Sequence, residues 1–137
     1  MRGSSAVRDA MFRFYDRLSA SDVASFDDLV APDAVLIIGT APSEWVTERE
    51  RMRFGFETEG VRLETGGEAI AFEEGSMGWV ADEPTFFFPD DSAMKTRVTA
   101  VLRQEAGRWA LVHMHLSIGV PDEEVLELQR RWGTAPA

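Results

Sequence analysis

Val7, Met11, Phe14, Tyr15 and Leu18 recur at helical spacing, with Arg8, Asp9, Arg13, Asp16 and Arg17 mostly on the other side. Residues 5–19 are therefore predicted to form an amphipathic helix. A shorter helix follows through Val23, Phe26, Leu29 and Val30, capped by Ser21 and closed by Pro32. Ala34 to Gly39 is an apolar run suited to a buried strand. Thr47 followed by Glu50 has the spacing of a capping box, which favours a third helix through Met52 and Phe56 toward Gly60. Beyond Gly60 the pattern changes to strands near 61–73, 76–88, 94–105 and 108–118. Turn signals stand at Glu74-Gly75, Pro89-Asp90-Asp91 and Ala106-Gly107, and Gly66-Gly67 is a place for a bend or bulge. A last helix, about 122–132, opens at Pro121-Asp122-Glu123-Glu124 with acids at its positive end and closes with Arg130-Arg131. No repeat, low-complexity tract or linker interrupts this order. The chain reads as one domain over 1–137, with its core at about 5–120.

The strand at 108–118 carries the most chemistry. Uninterrupted alternation puts Trp109, Leu111, His113, His115 and Ser117 on one face and Ala110, Val112, Met114, Leu116 and Ile118 on the other. The first face, mixing indole, imidazole and hydroxyl groups, suits the wall of a pocket and is expected to point toward the helices. The second would leave a contiguous apolar patch in water, which implies a homodimer through the outer sheet face. Phe86-Phe87-Phe88, apolar on both sides of its strand, leads to the same expectation.

Composition narrows the partners. Apolar residues make up 45% of the 137-residue chain, enough for a globular core. Fourteen basic against twenty-four acidic residues give a net charge of −10, which disfavours nucleic acid as a partner. With no cysteine, a disulfide framework, a thiolate nucleophile and Cys-ligated zinc are all excluded. No apolar run approaches the roughly 18 residues of a membrane span, and the N-terminus lacks an apolar signal core, so the expectation is a cytoplasmic protein without a membrane partner.

Helices followed by strands imply an α+β domain with helices covering one face of a curved antiparallel sheet. The order of elements, the turn Ile38-Gly39-Thr40-Ala41-Pro42-Ser43-Glu44-Trp45 and the ending Gly107 to Ser117 resemble the SnoaL-like group of the nuclear transport factor 2-like superfamily. The ending is also similar to that of the calcium/calmodulin-dependent kinase II association domain. The resemblance covers about 5–120. It implies a cone-shaped cystatin-like roll, in which a bent sheet wraps the N-terminal helices around a pocket, and it implies a dimer. It does not imply one activity, because isomerases, cyclases, dehydratases, hydrolases and subunits without catalysis share this fold. Ketosteroid isomerases of this fold use an aspartate near the end of the first strand and a tyrosine in the first helix. Matching on Asp22 and Asp33-Ala34 puts Ile38 and Phe14 there, and neither can serve; a shift of one residue would bring Tyr15 into play.

The remaining candidates come from side-chain chemistry. His113 and His115 are the only two histidines, and imidazole is the side chain best placed to move a proton near neutral pH. Ser117, in line with them, is a hydrogen-bond donor rather than a nucleophile. His-x-His without a third ligand gives no metal site, and nothing indicates a cofactor. Arg97, in a Thr-Arg-Val similar to that of the kinase association domain, is a candidate anchor for a carboxylate if its face lines the cone. Trp45 and Trp79 are candidates to enclose a ligand, and Trp109, at the start of the last strand, is a further candidate ligand contact. Two readings stay open. In one, a cofactor-independent enzyme moves a proton with His115 or His113 while Tyr15 and Ser117 polarise a small organic substrate. In the other, a non-catalytic module binds a small organic ligand, with a carboxylate or carbonyl meeting Arg97 or the histidines, or serves dimerisation.

Overall fold

The computed structural model describes residues 1–39 and 42–133. In chain order the elements are Arg2–Gly3 (β1), Ser5–Ser19 (α1), Phe26–Leu29 (α2), Val30–Ile37 (β2), Arg49–Glu57 (α3), Arg62–Glu64 (β3), Ile70–Glu74 (β4), Met77–Asp82 (β5), Thr85–Phe87 (β6), Ala93–Lys95 (β7), Arg97–Glu105 (β8), Arg108–Ser117 (β9) and Asp122–Trp132 (α4). Among the described strands, the larger sheet runs β1-β4-β5-β8-β9-β2 and a smaller one runs β3-β6-β7. All pairings are antiparallel except β2 with β9, which is parallel. This is a mixed α+β fold in which α1, α2 and α3 pack against one side of a curved, unclosed sheet.

Helix α1 has the predicted limits because its period and its cap agree. Ser4 Oγ accepts a hydrogen bond from the Val7 amide at 3.1 Å, a cap of the kind worth about 1 kcal/mol. The apolar stripe Val7, Met11, Phe14, Tyr15 and Leu18 is buried against the sheet. At the base of the core, Phe56 meets Phe14 and Phe26 edge to face, each with ring centroids 5.4 Å apart.

Several local expectations give way to tertiary pairing. The second helix is one 3-10 turn followed by the single turn of α2, and Val30 already belongs to β2. Pro32 does not end the element: it sits within β2, an edge strand, where a missing N–H costs no ladder bond on the open side. Ser21 is not a cap but a positive-φ residue that turns the chain out of α1, and α3 begins after Glu48 with no side-chain cap, so the expected Thr47 box is not formed. Thr40 and Ala41, in the turn that supported the family resemblance, lie outside the described residues.

Three long predicted strands are each divided between the two sheets, and the buried polar residues hold the corners. Asp82 Oδ1 accepts from the Gly66 and Glu83 amides at 3.2 and 2.8 Å. Thr96 donates from both its amide and its hydroxyl to the Pro84 carbonyl, at 2.9 and 2.8 Å. A buried carboxylate or hydroxyl persists only with such partners.

Strand β9 departs furthest from its expected facing. Val101 stands opposite His113 but Leu102 stands opposite Leu111, which leaves Val112 as an extra residue in a β-bulge. One inserted residue reverses the phase of everything after it. Trp109 and Leu111 point toward the helices as expected, and so do Met114, which is buried, and Leu116, which packs against the core. His113, His115 and Ser117 are turned to the outer face, opposite Val101, Thr99 and Arg97. The expected outer patch of Val112, Met114, Leu116 and Ile118 therefore does not form, since two of its members are in the interior.

Candidate functional site

Pairing and burial leave a cavity of about 440 Å³ on the inner side of the sheet. Its floor is apolar: Phe14 and Leu18 of α1, Met52 of α3, Leu63 of β3 and Met114 of β9. Phe86, Phe88 and Met94 of the smaller sheet close one side, and Ile38 with Gly39 at the end of β2 closes the other. The phenylalanine run expected to be buried on both faces is thus divided. Phe86 and Phe88 face the cavity, while Phe87 lies under the Arg62 guanidinium, 4.2 Å from its ring centroid.

Helix α3 presents two different faces here. Met52 and Phe56, four residues apart, are buried, with Met52 reaching the cavity floor, whereas Arg51, Phe54, Gly55 and Thr58, at helical spacing of three and four, line the more open part of the cavity. Gly55 leaves open volume: a Cβ built there would meet one atom, Leu18 Cδ1, at 3.7 Å. Phe54 is 69% exposed and stands at the opening with Arg51 and Glu44. Gly39, with φ +91°, lets the Glu44 segment fold onto the end of β2; a Cβ at Gly39 would lie 2.3 Å from Glu44 Cβ. The Thr58 hydroxyl is committed to the Phe54 carbonyl at 2.9 Å. Glu44 and Arg51 are the ionisable side chains of the lining among the described residues, and both are at the mouth.

None of the eight side chains offered from the sequence as site residues lines this cavity, whereas Phe14 and Ile38, at the positions matched to the isomerase pair, do. His113 Nδ1 is 2.8 Å from the Val35 carbonyl on the neighbouring strand, a contact made on the outer face. His115, exposed, meets the 68% exposed Trp45 edge to face, with ring centroids 6.4 Å apart. Arg97 is also on the outer face, and its guanidinium covers Gly119, 3.1 Å from where a Cβ would be. Trp79 stacks on Phe72 at 5.1 Å on that face, and its indole N–H points to Met1 Sδ. Trp109 is half-buried against the core, and Ser117 stands opposite Arg97 in the ladder. Tyr15 is buried, and its hydroxyl donates to Asp82 Oδ2 at 3.2 Å. Burial foremost, then the charge of Asp82 and the hydrogen bond to it, hold the phenol far above its ordinary range, so it stays protonated.

The structure therefore joins Trp45 to His115 and Tyr15 to Asp82, but brings neither pair to the cavity. Sequence reasoning missed Glu44, Arg51 and Gly55. One signal was present: Phe54, a large aromatic on the polar side of an amphipathic helix, marks a face that contacts something other than the core. Arg49 and Arg53, four residues apart, share Asp27 and Glu50 and both lie 4.6 Å from the Phe26 ring. Arg51, between them in sequence, is on another side of the helix.

No helix among the described residues is long and apolar enough to cross a membrane. The sequence matches no curated protein. Among solved structures the fold is similar to an NTF2-like protein of unknown function from Pseudomonas putida, at 17% identity over 87% of this chain and 88% of that one, with a TM-score of 0.69. It is similar to a protein of unknown function with a cystatin-like fold from Nostoc punctiforme, at 18% identity over 87% and 96% of the two chains and a TM-score of 0.66. The association domain of C. elegans CaMKII is similar at 19% identity over 81% and 92%, with a TM-score of 0.63. These likenesses establish the fold. Residues 7–121 match the family model of the SnoaL-like domain, and the chain belongs to that family.

Proposed function

We propose that this protein binds a small, largely apolar organic molecule in the cavity between α1, α3 and the two sheets, and holds it without chemical conversion. The observation that carries this reading is the lining. Its floor is phenylalanine, leucine and methionine, and among the described residues its ionisable groups stand at the mouth. A volume of about 440 Å³ lies in the range of small-molecule sites. Proton-transfer chemistry through His113 or His115 loses its support, because both rings are on the opposite side of the sheet from the cavity. Calorimetry with 1-decanol on the wild type and on Gly55→Leu, whose added side chain projects into the cavity, tests the reading. Binding by the wild type and loss in the variant is expected. Equal heats from both proteins, or none from either, would overturn it.

A homodimer through the outer sheet face fits the same protein. Val35 and Ile70 are 54% and 52% exposed there, and Phe72, Trp79 and Val101 are only half-buried. The register aligns Phe72, Trp79, Val101, His113 and Val35 in one row across β4, β5, β8, β9 and β2. Such a row is more apolar than a lone chain usually exposes. The association domain among the structural relatives supports assembly as a property of this fold.

A further inference from the structure

We infer that the ligand is an amphiphilic monocarboxylate, its apolar body in the cavity and its carboxylate at Arg51; this rests on the cavity reading above and goes beyond it by assigning the polar end. Three arginines are grouped on α3, and the structure uses them differently. Arg49 and Arg53 are tied to Asp27 and Glu50, and Arg49 also donates to the Val30 and Ala31 carbonyls. Those two brace the helix. Arg51 forms no ion pair among the described residues, although acids outnumber bases by twenty-four to fourteen in this chain. It stands on the face of α3 that lines the cavity, one helical turn before Phe54 and Gly55.

A guanidinium offers a planar fork of donors that a carboxylate meets bidentately. Among the described residues, the floor of phenylalanine, leucine and methionine offers no polar group to a second ionised end, so a dicarboxylate would leave one charge desolvated. Glu44, at the same mouth, sits against Gly39 at the end of β2. At about 30 Å³ per non-hydrogen atom, the share of one water molecule in the liquid, the cavity holds a body of roughly a dozen to fifteen such atoms. A saturated acid of about ten carbons satisfies both the volume and the charge.

Titration calorimetry with sodium decanoate and 1-decanol, each below its aggregation concentration, separates the two ends of the ligand. The wild type should bind decanoate on the order of tenfold more tightly than decanol, as a charge-assisted hydrogen bond at a partly wet site gives. Arg51→Gln should bring decanoate down to the level of decanol and leave decanol unchanged. Added salt should weaken decanoate and not decanol, because a charge at the mouth is screened while apolar burial is not. Equal affinities in the wild type, or decanoate binding indifferent to Arg51→Gln, would overturn the carboxylate assignment while the cavity reading stands. If neither probe binds, or Gly55→Leu binds both as the wild type does, the cavity reading falls and the inference with it.

Discussion

Tyr15 of α1 and Asp82 of β5 are joined by a buried hydrogen bond of 3.2 Å, the phenol donating to Oδ2, while Oδ1 of the same carboxylate holds the amides of Gly66 and Glu83 at the corner between the sheets. A helix is thereby tied to the place where the sheet divides. Tyr15 is the one tyrosine in the chain, so its titration can be read without overlap. Its pKa is raised in the folded protein, by burial first, and lies near 10 when unfolded. The unfolded chain therefore releases this proton at lower pH than the native one. The contribution is fully present below about pH 10 and is lost as pH rises above it. Tyrosinate absorbance should rise only together with loss of the circular dichroism signal. A tyrosinate signal in a protein that stays folded would contradict this environment.

Removal of the same hydroxyl should be felt in stability. Tyr15→Phe should cost about 1.5–3 kcal/mol, the range for a hydrogen bond to a charged group, because Asp82 Oδ2 loses its donor in a buried site. Urea denaturation gives the number.

Phe56 should be the costliest single truncation near the cavity. It is fully buried between Phe14 and Phe26, and Phe56→Ala should lose about 3–5 kcal/mol by equilibrium unfolding.

Gly55 should show the reverse sign. A glycine inside a helix costs about 0.5–1 kcal/mol relative to alanine, and the nearest contact of an added methyl, 3.7 Å to Leu18 Cδ1, is an ordinary one. Gly55→Ala should raise stability by about that amount in urea denaturation. If it does, the open volume beside Leu18 is kept at the expense of helix strength.

His115→Ala should leave decanol and decanoate binding unchanged and alter stability by no more than about 0.5 kcal/mol, as for an exposed side chain outside the core. Binding that falls with this substitution would return His115 to the site.

Val101→Glu, in the middle of the outer row, should convert a dimer to a monomer in sedimentation velocity without changing the helical content. A wild type that sediments as a monomer at tens of micromolar would remove the dimer reading.

What could be read along the chain was whatever depends on neighbours a few residues apart. The stripe from Val7 to Leu18 set α1, and the acidic start and Arg130-Arg131 end marked α4, because helical period and end charges are local. The position of β9 was legible for the same reason. Its facing was not. Val112 is an extra residue only relative to Val101 and Leu102 on β8, and no alternation within β9 records that pairing, yet it sends His113 and His115 outward and Met114 inward. Likewise, Asp82 and Thr96 read as ordinary strand residues until Gly66 and Pro84 come within hydrogen-bonding distance and divide the sheet. The cavity is the extreme case. It is volume left unfilled by α1, α3 and both sheets, and Arg51 gains its place there only when Arg49 and Arg53 have been drawn to Asp27. Local periodicity determined which segments fold into which elements, whereas strand register and helix docking, which join residues far apart in the chain, decided which side chains share a surface.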